Sequence, residues 1–141
     1  MSETTRPGFP PKDVTTLLRL EGIVVLSAAI AAYGSLGGNW WLFALLILAP
    51  DLSMLGALRG ESFGARLYNA AHTYALPLAL MGAAWAAGAG EAVPFLLVWV
   101  AHIGLDRALG YGLKYPGLAH QTHLGPIGKA KREAQRLANA S

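Results

Sequence analysis

Four runs without a single Asp, Glu, Lys or Arg constrain this chain more than any other feature: Gly22 to Gly38, Asn39 to Pro50, Leu67 to Gly90 and Ala92 to Leu105. A helix needs about 20 mostly apolar residues to cross the hydrocarbon of a bilayer. Extended slightly past their uncharged cores, the runs predict helices over 17–36, 39–58, 63–88 and 92–113. Backbone groups inside a bilayer must be paired locally, which selects helices, and the period-2 alternation of a barrel is missing. Breaks fall on turn residues: Gly34-Ser35, Gly37-Gly38, Gly60-Glu61-Ser62 and Gly88-Ala89-Gly90-Glu91. Pro94 sits where a first helical turn tolerates it. The first run has no Ala-x-Ala cleavage site followed by a polar mature domain, and with three more spans after it the run is read as a retained span. Only 13% of the residues are charged, about half the usual share of a soluble domain. The fold class expected is all-α: an integral membrane four-helix bundle over 17–113, with a tail before it (1–16) and another after it (114–141).

Charge gives the orientation. With four spans, all eleven basic residues fall on the side of the two termini, or at helix ends nearest it, and only Glu91 lies opposite. The positive-inside rule then places both termini and the 59–66 loop in the cytoplasm, with Trp40 and Trp41 at the outer interface and Tyr111 and Tyr115 at the inner one. The implied location is a bacterial inner membrane. The net charge of +3 is accounted for by topology and anionic lipid headgroups, without nucleic acid. Ile127 to Ala140 reads as a short basic helix on the membrane surface or in solution. Absent cysteine removes disulfides and thiolate chemistry. No phosphate loop, nucleophile elbow or zincin motif is present. Runs of alanine and glycine permit close helix packing, within one chain or between copies.

The informative residues are those that do not belong in lipid: Glu21, Asp51, Asn69, His72, His102 and Asp106. Mid-helix ionisable groups face a bundle interior or cavity and mark a functional site by default. With a rise of 1.5 Å per residue from each cytoplasmic end, Glu21 lies about 6 Å deep, Asp51, Asn69 and Asp106 about 9–10 Å, and His72 and His102 about 14–15 Å. Polar residues from antiparallel helices thus meet in one layer. His102 and Asp106, four apart, share a stripe. Two imidazoles with carboxylates suit zinc, iron or manganese. His72, His102 and Asp106 are then metal ligands. Asp51 is either a fourth ligand or the base that takes a proton from water, and Asn69 supports it. A metal-free His–Asp network for protons or a polar ligand is a second reading, and a structural network in which Asp106 pairs with Arg107 or Arg19 is a third. Arg19 and Arg107 are expected to snorkel to the interface. His120 and His123 fall in a loop that could fold back beneath the site. Function follows as a metal-assisted, hydrolase-like membrane enzyme acting on a lipid-like substrate, or a ligand-binding or accessory subunit of a membrane complex.

Several segments, taken together, resemble a bacterial family of small four-span membrane proteins of unknown function. They are Leu17-Leu18-Arg19-Leu20-Glu21-Gly22, Ala49-Pro50-Asp51-Leu52-Ser53-Met54-Leu55-Gly56, Tyr68-Asn69 with His72, His102 through Arg107, Gly110 through Pro116, and Thr122-His123-Leu124-Gly125. The likeness covers about 17–125. It implies a membrane bundle and names no activity, substrate or cofactor.

Overall fold

The computed structural model describes residues 9–140, and the fold is predominantly helical. Part of the expected 1–16 tail, with Arg6, lies outside the described residues. Helix α1 spans Lys12–Ser35, five residues earlier than the charge pattern suggested. It is followed by α2 (Trp40–Leu46), whose free amides at Trp41 and Leu42 are capped by the Asn39 side chain. A long 3-10 helix, Ala49–Arg59, continues directly from it. At about 1.5 Å per α residue and 2.0 Å per 3-10 residue, the pair reaches about 33 Å, the thickness of a hydrocarbon core. Pro50 occupies the first turn of the 3-10 segment, so its missing N–H breaks no bond.

The third expected helix, 63–88, is divided. Helix α3 spans Glu61–Ala71 and α4 spans Ala75–Ala86, with His72, Thr73 and Tyr74 between them. Pro77 lies in the first turn of α4, where it starts a new helix instead of kinking an old one. After a single 3-10 turn, Gly90–Ala92, helix α5 covers Val93–Leu109 and stops at Gly110, which has φ 94°. Three helical stretches are long and apolar enough to cross a membrane: Lys12–Ser35, Trp40–Arg59 and Gly90–Leu109. Leu17, Val24, Leu45, Leu58, Trp41 and Trp85 are exposed on the helix surfaces, as a lipid-facing belt requires.

The chain departs from an all-α fold beyond α5. Lys114–Tyr115 (β1), Leu118–Thr122 (β2) and Gly125–Pro126 (β3) form a small antiparallel sheet in the order β1-β2-β3. Gly117 (φ 81°) and Gly125 (φ 114°) supply the left-handed backbone at its turns. Helix α6, Gly128–Ala140, follows.

Two packed pairs place the site. Helices α1 and α5 run antiparallel with backbones in contact at Gly22 and Gly104, and the seam continues through Ala29, Val100 and Ala101 to Tyr33, Leu97 and Val98. The 3-10 helix and α3 form a second pair at Gly56, Ala57 and Gly64. Small residues let backbones approach where hydrophobic driving force between helices is weak.

Candidate metal centre

The break between α3 and α4 exposes carbonyls that a continuous helix would have used. Side chains from α5 take them. Trp99 Nε1 donates to the Ala71 carbonyl at 2.6 Å, and Arg107 Nη2 donates to the His72 carbonyl at 2.7 Å. Arg107 Nη1 also donates to the Tyr111 carbonyl at 2.8 Å. Arg107 is therefore buried, in contrast to the snorkelling expected of it. Buried irregular backbone persists only where protein groups pair it, and these bonds do so. Arg19 instead lies near the surface and donates to the Ala108 carbonyl at 2.9 Å.

Held in this break, the His72 ring donates from Nδ1 to the Tyr68 carbonyl at 2.8 Å. A carbonyl cannot donate, so Nδ1 carries the hydrogen and Nε2 presents its lone pair. That nitrogen faces His102 Nε2 at 3.1 Å, Asp51 Oδ1 at 3.4 Å and Asp106 Oδ2 at 3.5 Å. His102 Nε2 lies 3.6 Å from each of the same two oxygens. Four donor atoms at tetrahedral corners 2.0–2.1 Å from a zinc-like ion stand about 3.3–3.4 Å apart. The five separations above cluster around that edge, and all four atoms lie within 4.8 Å of one another. Asp51, His72, His102 and Asp106 form a cluster capable of holding a metal ion, next to helices long enough to span a membrane. The side chains of His72 and His102 are 0% and 2% exposed, Asp106 14% and Asp51 41%. The site therefore opens past Asp51.

The surroundings orient His72 and Asp106, whereas His102 Nδ1 is buried without a hydrogen-bond partner. The Tyr68 ring stacks on His72 with centroids 3.8 Å apart, and its hydroxyl points at Asp106 Oδ2 at 3.4 Å. Asn69 stands outside the four. Its Nδ2 donates to the Lys114 carbonyl and its Oδ1 accepts from the Lys114 amide, both at 2.7 Å, so it fixes β1 against α3. Glu21 is exposed and also outside the four. In the sequence Tyr68 appeared only beside Asn69 and His72 in one of the segments that carry the family resemblance. The part played by Arg107 had no sequence signal, because the carbonyl it pairs is freed by the helix break.

A family model matches residues 15–127, a stretch that holds most of α1, the sheet and all four cluster residues. The chain belongs to the family described as Domain of unknown function (DUF4260). No curated protein and no solved structure matches it. The motif resemblance pointed to an uncharacterised family of this kind, and the chemistry of this DUF4260 protein has to be read from its own side chains.

His123 does not join the cluster. Its Nδ1 accepts from the Leu113 amide at 2.9 Å, and the ring sits where a side chain at Gly112 would be. Burial, then the charge of Arg107, pushes its pKa below the ordinary 6.5. Above that value the imidazole is neutral folded or unfolded, and contributes no pH dependence. As pH falls below about 6.5 the unfolded chain takes up a proton that the folded ring resists, so stability drops until the folded pKa is passed. His123→Gln keeps an acceptor and should flatten this acid-side loss, read as the difference in thermal midpoint between wild type and variant from pH 7.5 to 5.

Proposed function

We propose that this protein is a four-pass membrane protein with a divalent metal site in its cytoplasmic half. In this reading α3 and α4 together make the third pass, interrupted at His72, and both termini face the cytoplasm of a bacterial cell. The basic side chains at that face meet anionic headgroups. His72, His102 and Asp106 hold the ion, zinc, iron or manganese, with Asp51 as the fourth and most exposed arm. Bound metal would supply a Lewis acid for hydrolysis of a lipid-like substrate. Asp51, the arm open to solvent, is placed to give way to substrate and to accept a proton from water. Asn69 acts as a positioning residue through Lys114 rather than in the chemistry. The observation that supports the reading is the convergence of four ligand atoms, five of their six separations being 3.1–3.6 Å.

A second reading rests on the same spacing. Four protein ligands are typical of closed structural sites, whereas catalytic zinc sites keep one position open. On that basis the centre would secure a ligand-binding or accessory subunit of a membrane complex, or an oligomer of this chain. Metal analysis of detergent-purified protein never exposed to chelator should give about one equivalent of a divalent transition metal. Less than about a tenth of an equivalent overturns both readings. Asp51→Asn separates them: the enzyme loses hydrolysis while keeping most metal, and the closed site loses metal.

A further inference from the structure

An apolar cleft of about 430 Å³ lies directly beside the tetrad, within the usual size range of small-molecule pockets. Its walls include Leu46, Ala49, Pro50, Phe95, Val98 and Trp99. Pro50 adjoins Asp51 in sequence, and Ala71, also in the wall, adjoins His72. Ser53 also lines it. Ser53 Oγ is buried without a hydrogen-bond partner.

At the other end of the tetrad stands a cation. Lys114 Nζ lies 4.1 Å from the centroid of the Tyr68 ring, whose hydroxyl points at Asp106. Among the described residues no carboxylate lies within 4 Å of that ammonium. Burial pushes the Lys114 pKa down, with the nearby charges of Asp51 and Asp106 acting against that shift. Along α5 the cleft residues Phe95 to Trp99 precede the ligands His102 and Asp106, and Lys114 stands off that helix, over the Tyr68 ring that stacks on His72. A divalent ion would neutralise the two carboxylates and leave Lys114 and Arg107 in excess. The electrostatics at that end then favour an anion.

We infer that the site takes a single-chain anionic lipid, its acyl chain in the cleft and its phosphate headgroup at the tetrad, within the field of Lys114. This rests on the metal reading above for the headgroup, and on the cleft alone for the chain. Each part of the ligand meets the chemistry it needs, an apolar wall for the tail and positive charge for the phosphate. The bilayer supplies such molecules at the level of the cleft.

The test uses Trp99 as a reporter, in detergent-solubilised, metal-loaded protein carrying Trp40→Phe, Trp41→Phe and Trp85→Phe. Lysophosphatidate with a brominated chain should quench Trp99. Monoacylglycerol with the same chain should quench it at concentrations about tenfold higher or more. Lys114→Gln should bring lysophosphatidate to the weaker value, and Ala49→Phe, which fills the cleft from its edge, should abolish quenching by both. Inorganic phosphate should compete only at concentrations at least about 100-fold above those of the lipid. Equal binding of monoacylglycerol and lysophosphatidate overturns the anionic headgroup, and phosphate competing as well as lipid makes the ligand soluble phosphate. Quenching that survives Ala49→Phe removes the chain from the cleft. Metal content is measured on the same samples. Protein that holds metal but fails these arms refutes the lipid and leaves the centre standing. Protein without metal whose Trp99 is still quenched by either lipid refutes the centre and keeps the tail site.

Discussion

His102→Ala is expected to lower affinity for zinc by at least about 100-fold, more than is typical when a partner that only orients a ligand is lost. His102 has its Nε2 within 3.6 Å of all three other ligand atoms, so nothing else in the site can take its corner. The effect is readable as stability. An ion present at 1,000 times its dissociation constant stabilises the fold by about 4 kcal/mol, and after a 100-fold loss of affinity the same concentration gives about 1.4 kcal/mol. Thermal unfolding with and without added zinc should therefore show a large metal-dependent rise in wild type and a small one in the variant. Arg107→Ala is the contrast. It strips donors from the His72 and Tyr111 carbonyls and should lower the midpoint of metal-free and metal-loaded protein together. Lysine would not restore it, since one ammonium cannot reproduce two bonds in a fixed fork. An equal zinc response in wild type and His102→Ala would sink the metal centre.

The histidines and aspartates of the centre were legible in the sequence because lipid makes an ionisable residue conspicuous. Asp51, His72, His102 and Asp106 each interrupt or border an apolar run, which marks an ionisable residue out. Asn69 passed the same filter and serves differently, since polarity shows that a side chain needs a partner and not which partner it finds. Its partner is the backbone of Lys114, 45 residues away. The sheet was hidden for a related reason. Lys114–Tyr115 and Gly125–Pro126 are two residues each, too short for any alternating pattern, and they exist because the turn glycines fold the segment onto itself. The interruption at His72 was half visible. Pro77 lacks the amide that would pair the Thr73 carbonyl, but whether a helix bends or stops there depends on what pairs the exposed groups, and Trp99 and Arg107 come from a distant helix.

The same logic of close approach gives the largest structural effect expected. Gly104→Val should remove most folded protein from the membrane fraction, through a destabilisation above the roughly 1–3 kcal/mol of ordinary overpacking. A Cβ at Gly104 would stand 2.8 Å from the Leu26 amide nitrogen and 2.9 Å from the Gly22 carbonyl oxygen. Both are backbone atoms of α1, so no rotamer change relieves the clash and the helices must separate. Separation would propagate along the seam to Ala29 and Ala101 and shift α5, which carries His102 and Asp106. Gly22 meets the reciprocal limit, with Arg107 Cβ at 2.6 Å from the position its own Cβ would take. Gly82, inside α4, has nothing within 4 Å of such a position. Gly82→Ala should be neutral or stabilising by up to about 1 kcal/mol, from helix propensity. Yield and thermal midpoint of the two variants in one detergent decide the matter. Comparable behaviour of Gly104→Val and Gly82→Ala would mean that α1 and α5 do not meet at the glycine seam, and the position of both α5 ligands would fall with it.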